Sequence, residues 1–175
     1  MRTVWLPQGV FDMLLKALTL PNRVCLRICE RHGCRVGDVL SMKSDVPLKP
    51  KWSYREQKTG KRRVVTLTQK ERQLCRLISG RVYVFENRLN PLKHRTRQAV
   101  WKDIHKVAKF FGLKQVGTHT ARKVYAVALR EAGASDKTIQ RKLNHTDELV
   151  TMLYAYADQK TQRVNKKALD KFVDV

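Results

Sequence analysis

Residues 117–125 read G-T-H-T-A-R-K-V-Y, and residues 143–154 read L-N-H-T-D-E-L-V-T-M-L-Y. His119 and Arg122 are three positions apart, so on a helix they lie on one face. His145 follows on the next helical stretch, and Tyr154 stands nine residues beyond it. Two imidazoles, a guanidinium and a phenol gathered in this way can surround a single anion. The chain carries 37 Lys and Arg against 15 Asp and Glu, a formal net charge of +22, which points to a nucleic-acid phosphate as that anion.

Composition bounds the alternatives. At 175 residues and 42% hydrophobic, the chain suits one domain with a real core and does not have the make-up of a disordered segment. A basic excess of this size also fits a ribosomal-type RNA binder or an anionic membrane surface. The membrane reading is the weakest, because no 18-residue apolar run and no signal peptide occur. The expected setting is therefore cytoplasmic, nucleoid-associated in a bacterium, with no membrane partner. Cys25, Cys29, Cys34 and Cys75 read as reduced, buried thiols. Cys29, His32 and Cys34 lie close together, but no second ligand pair follows at finger spacing, so neither a metal nor any other cofactor is expected.

Hydrophobic spacing predicts a mainly helical α+β domain with one small antiparallel hairpin. Val10, Leu14, Leu15 and Leu18 mark a helix over 8–19. Pro21 and Asn22 open a second helix, which Gly33 stops. A short helix runs from Val36 to Met42 and breaks at Asp45-Val46-Pro47. Trp52 and Tyr54, then Val65 and Leu67, alternate with polar residues around the turn Lys58-Thr59-Gly60-Lys61, which reads as a β-hairpin. Further helices are expected near 69–78, over 96–111 with Val100, Ile104, Val107 and Phe111 on one face, and over 121–131. Ser135 or Asp136 caps the next helix, whose Ile139 and Leu143 face inward, and residues 159–175 are again helical in pattern. No internal repeat or interdomain linker is evident.

The charged residues supply a coherent chemistry. Arg35 follows the turn at Gly33, Lys58 lies on the hairpin turn, and His119 and Arg122 begin one helix while His145 ends another. Guanidinium forks match the oxygens of a phosphodiester. Tyr154 is a weak nucleophile at its free pKa of about 10, and surrounding cations favour its phenolate. Five-coordinate phosphorus places extra negative charge on its equatorial oxygens, where fixed cations act most strongly. Lys58 is placed to protonate a departing sugar oxygen. Taken singly, each residue has an ordinary reading: a surface arginine, a capping or core histidine, a packed tyrosine. Lys61 competes with Lys58 and Tyr156 with Tyr154, while Tyr125 reads as core and His32, His94 and His105 as structural or surface residues.

It is the order of the elements that gives them meaning. G-C-R-V-G-D-V-L around Arg35 and Asp38, Q-K-T-G-K around Lys58, H-T-A-R, L-N-H and then Tyr154 follow one another as they do in the catalytic domain of the tyrosine recombinase (phage integrase) family, which this chain resembles over roughly residues 5–160. The resemblance implies that family's fold, with a catalytic domain at 1–158 and a helical tail at 159–175 that packs on a neighbouring protomer. It implies catalysis by Arg35, Lys58, His119, Arg122, His145 and Tyr154, with Asp38 supporting them. Tyrosine attack on a scissile DNA phosphate leaves a 3′-phosphotyrosyl link and a free 5′-hydroxyl, and four protomers act on two DNA sites. Double-stranded DNA is the expected partner, with Arg62, Arg63, Lys93, Arg95 and Arg97 meeting its backbone.

Two departures accompany the match. Asn144 stands where the family carries Gly before the second histidine, and Asn is the next-best residue for a left-handed helix end. The chain also starts almost at the catalytic domain, as a truncated chain would, or as a naturally short member like the fimbrial-switch invertases would. Competing readings are a DNA-binding protein of this fold without catalysis, a type IB topoisomerase that relaxes DNA as a monomer, and a basic RNA binder in which the six residues are scattered.

Overall fold

The computed structural model describes residues 3–144, so the expectations for His145, Tyr154 and the 159–175 tail lie outside the described residues. Within 3–144 the chain is helical with a single two-stranded antiparallel sheet. Helix α1 (Gln8–Ala17) ends short of the expected position 19 because Leu18 turns extended. That turn leads into α2 (Leu20–His32), where Pro21 occupies the first turn and its missing N–H costs no hydrogen bond. Asp103, from a later helix, accepts hydrogen bonds from the Thr19 hydroxyl at 2.7 Å and the Asn22 amide at 2.6 Å, placing a carboxylate at the positive end of α2. Gly33 ends α2 in the left-handed conformation, φ 63°.

A short α3 (Val36–Leu40) follows, and the break foreseen at 45–47 is a 3-10 turn over Val46–Leu48. Strands β1 (Lys51–Arg55) and β2 (Arg62–Thr66) pair antiparallel with Trp52 opposite Val65, and both of these side chains enter the core. Thr68 and Glu71 form a reciprocal capping box that starts α4 (Gln69–Ile78). Helix α5 (Arg97–Phe110) presents Val100, Ile104 and Val107 to the interior. Helices α6 (Thr120–Glu131) and α7 (Asp136–Leu143) complete the described chain; the Ser135 side chain caps α7, and Asn144 closes it with φ 50°. Asparagine therefore does what the sequence asks of it at that turn.

Helix α2 is the centre of the domain. Its Val24, Cys25, Leu26, Ile28 and Cys29 are buried, α6 packs along it, and α1, α3 and α4 surround it. Full burial of such side chains stabilises by about 1.5–3 kcal/mol each. A smaller cluster of Ala126, Ile139 and Leu143, backed by Tyr125 and Leu129, pins α7 to α6. All four cysteines are free and buried, and burial pushes Cys34 and Cys75 up to about 12. The His32 ring is taken up by Glu71, with Nε2 3.1 Å from Oε1. Among the described residues no helix is long and apolar enough to cross a membrane.

Gly33 is where this packing is least forgiving. A Cβ built there would come within 2.5 Å of the Tyr125 ring on α6, in a backbone conformation that already disfavours side chains. Gly33→Ala is expected to lower unfolding stability by on the order of 1–3 kcal/mol from the backbone alone, with the clash adding to it. Chemical denaturation of the purified variant measures the loss.

Candidate active site

The C-terminal ends of α2 and α7 meet. Two consecutive carbonyls of one, His32 and Gly33, and two of the other, Lys142 and Leu143, are bridged by two arginines. Arg122, from α6, donates through Nη1 to the Gly33 oxygen at 2.8 Å and through Nη2 to the Leu143 oxygen. Arg63, from β2, donates through Nη2 to the His32 oxygen and to the Lys142 oxygen at 2.9 Å. A helix C-terminus carries about half a negative charge, so two such ends suit one buried cation. Arg122 is 2% exposed, and burying a guanidinium so fully requires partners of this kind.

Arg35 occupies the N-cap position of α3, two residues after Gly33, and donates through Nη1 to Glu56 Oε2 at 2.5 Å. Asp38, one turn along α3, accepts from the Gln57 backbone N–H at 2.9 Å. Burial raises the Asp38 carboxyl above the ordinary carboxylate range, the nearby Glu56 charge adds to the rise, and the Gln57 bond opposes it. The Gln57 amide also reaches the Gly37 carbonyl at 3.4 Å, so the hairpin is latched onto α3. Lys58 is the next residue along, exposed on that latched turn, where the Glu56 carbonyl accepts from the Gly60 N–H at 2.8 Å.

His119 occupies the N-cap position of α6. Crowding by protein lowers its pKa first, and the charges of Arg122, Arg97, Arg35 and Lys123 act in the same direction. The residue also reaches solvent, which weakens both effects, but both act in the same direction. The same repulsion reports the geometry: Arg35, Arg97, Arg122 and His119 share one electrostatic neighbourhood. Arg97, expected on the DNA backbone, opens α5 beside Gly37, its Cδ 4.0 Å from where a Cβ would stand on that glycine.

The remaining backbone-contact expectations divide. Arg62 is exposed and bonded to the Ser53 hydroxyl at 3.1 Å, and Lys93 is exposed on the long 79–96 loop. Arg95 is half-buried. Arg63 is turned inward: its side chain is only 10% exposed, ion-paired with Glu56 at 3.1 Å besides its two carbonyl bonds. Two positions before the buried Val65, it stands on the inward face of β2, as strand alternation conveys; its carbonyl and carboxylate partners are what the sequence does not show. Glu56 is the residue the sequence reading passed over. Its only sequence signal is an acid set among the bases of Arg55 and Lys58–Arg63.

Among the described residues no group of three or more His, Cys, Asp or Glu side chains is placed to hold a metal ion. The first arginine, the hairpin and the H-x-x-R helix thus converge on one cationic region. The chain belongs to the phage integrase family, the tyrosine-type site-specific recombinases, whose family model matches residues 6–161. The probable integrase/recombinase YoeC of Bacillus subtilis is 28% identical over 138 residues, 76% of each protein. The integrase of Escherichia phage P2 is 27% identical over 156 residues, and the tyrosine recombinase XerD of Lacticaseibacillus casei is 27% identical over 157. These alignments take in 88% and 81% of this chain but 43% and 52% of those proteins, so the chain spans about half of their length. The fold is that of the XerA recombinase crystal structure, at TM-score 0.72 and 18% identity over 98% of this chain and 66% of that one. A lambda integrase dimer bound to a core site shares it at TM-score 0.71 and 21% identity, over 91% of this chain and 50% of that one.

With its pKa below the ordinary value of about 6.5, His119 is neutral at pH 7. Between its folded and unfolded pKa values the folded state binds fewer protons, so this residue's contribution to stability is present above about pH 6.5 and is lost as pH falls through the folded pKa. An NMR titration of the His119 ring is expected to give a midpoint below that of a free histidine, and DNA is expected to raise the midpoint by placing an anion among the cations.

Proposed function

We propose that this chain is the catalytic part of a recombinase that cleaves and rejoins double-stranded DNA through a 3′-phosphotyrosyl link to Tyr154. The observation that supports it most is the convergence of Arg35, Arg122, Arg97 and His119 with the Lys58 hairpin around the joined ends of α2 and α7. Leu143, the last residue of α7, is held by Arg122 two positions before His145, so the backbone leading to His145 starts from the edge of the cationic cluster.

In the proposed reaction the phenolic oxygen of Tyr154 forms a bond to the scissile phosphorus. The bond to the 5′ oxygen breaks, and that oxygen leaves with a proton supplied by Lys58. Neutral His119 is suited to take the phenolic proton. Arg35, Arg122 and His145 balance the charge that grows on the non-bridging oxygens. A guanidinium has five N–H donors, which allows Arg122 to bond helix carbonyls and phosphate together. Attack by a 5′-hydroxyl on the phosphotyrosine reverses the step on a partner strand and needs no ATP. Four protomers on two DNA sites, with residues 159–175 packed on a neighbour, complete the proposed assembly. Arg62, Lys93 and Arg95 are assigned to the flanking backbone.

Incubation with nicked duplexes that trap the cleaved end tests the reading. Wild-type protein is expected to form a covalent adduct, and Tyr154→Phe to bind DNA without forming one. An adduct in Tyr154→Phe, or one mapped by peptide analysis to Tyr156, removes the assignment.

Arg35→Ala is expected to slow adduct formation by on the order of 10²-fold with a far smaller change in DNA affinity, as for loss of one transition-state donor. Quenched time courses and gel-shift titration give the two quantities.

A further inference from the structure

Glu56 is fully buried in the most basic part of a chain of net charge +22. Its Oε2 accepts from Arg35 Nη1 at 2.5 Å and from the Thr59 hydroxyl at 2.7 Å, and its Oε1 accepts from Arg63 Nη1 at 3.1 Å. Burial alone would raise its pKa, but the bonds from Thr59, Arg35 and Arg63 outweigh burial and hold the carboxyl below the ordinary range, so it is an anion. The carboxylate offsets the repulsion between Arg35 and Arg63, but stability does not require an acid for this. Apolar replacement of a buried ion pair is often neutral or stabilising, and an acid here offsets part of the positive charge that attracts a phosphate. What the carboxylate does provide is geometry. It fixes one edge of the Arg35 fork, and it meets Arg63, whose other nitrogen holds the carbonyls of His32 and Lys142.

We propose that Glu56 is a positioning residue of the cleavage site, setting the Arg35 guanidinium with one oxygen and, through Arg63, tying the Lys58 hairpin to the helix ends that precede Arg35 and His145. This inference rests on the cleavage reading above. It extends that reading by adding one buried acid to the Gln57 contacts that latch the hairpin onto α3. Arg63 is then part of the same device: it acts on the site through Glu56 and the helix carbonyls, without touching DNA.

The test uses the full chain and its Glu56→Gln variant, which keeps the shape and removes the charge; Glu56→Asp carries the same comparison if circular dichroism shows Glu56→Gln unfolded. Nicked duplexes with a randomised core serve as the probe, and the DNA recovered in wild-type adducts is resynthesised with either a phosphodiester or a neutral methylphosphonate at the cleaved position. The variant is expected to cleave the phosphodiester on the order of 10²-fold more slowly, the scale of a misplaced catalytic group, with DNA affinity nearly unchanged. The deficit is expected to shrink on the methylphosphonate, which lacks the charge that Arg35 balances. The double variant Glu56→Gln/Arg35→Ala is expected to lose less than the product of the two single losses, the residual loss being the part that acts through Arg63. Near-normal cleavage, an equal deficit on both substrates, or additive losses would overturn the proposal. A readout independent of cleavage is the NMR spectrum of the Arg35 guanidinium, whose Nη signals are expected to be resolved in the wild type and averaged in Glu56→Gln. Unchanged Arg35 signals would also overturn the proposal, whereas absence of any wild-type adduct, with those signals altered as expected, sinks the cleavage reading, and the role in cleavage with it, while the setting of Arg35 by Glu56 holds.

Discussion

The burial of Arg122 between two helix ends is the contact on which the rest of this structure depends. One side chain from α6 joins the Gly33 carbonyl, at the end of α2, to the Leu143 carbonyl, at the end of α7. The first arginine follows the first of these helix ends, and the second histidine follows the other. Electrostatics accounts for the stability of the arrangement: two helix C-termini, each with about half a negative charge, face one guanidinium that has lost nearly all contact with water. Removing the cation would leave buried carbonyls without donors, at a cost of about 1–3 kcal/mol each. Arg122 is thus as much a structural residue as a catalytic candidate.

Arg63 repeats the motif one residue earlier on each helix, gripping His32 and Lys142. The two arginines come from different layers, one from the sheet and one from α6, and together they make the junction of α2 and α7 a composite of the whole fold. Glu56 closes the network by joining Arg63 to Arg35. Arg35 and Arg63, which would otherwise repel, are thereby held together by one buried anion, and burial together with the nearby cations lowers the pKa of His119. The fold and the electrostatics of the site are consequently not separable: the interactions that align the helices are those that concentrate positive charge.

Much of this was legible in residue order. The helix stops at Gly33 and Asn144 followed from the left-handed conformation each adopts, and both are observed at φ 63° and 50°. The hairpin followed from alternation around Lys58-Thr59-Gly60-Lys61, and strands β1 and β2 flank that turn. Arg35, His119 and Arg122 were singled out by spacing, and their side chains do share one region. Alternation along β2 separates Arg62 from Arg63, but not their partners: Arg62 reaches the Ser53 hydroxyl at the surface and Arg63 reaches a carboxylate 0% exposed.

The sequence by itself determined the local elements, the family and the residue types able to handle a phosphate, because helix stops, periodicity and the order of motifs are properties of neighbours along the chain. Only the tertiary structure decided which cations serve the fold and which are left for a ligand. That choice depends on where buried carbonyls and one buried acid lie after residues 32, 56, 63, 122 and 142 have been brought together. Charge compensation in a dry interior acts through space, and separations such as the 21 positions from Arg35 to Glu56 and the 89 from Gly33 to Arg122 carry no local trace of it.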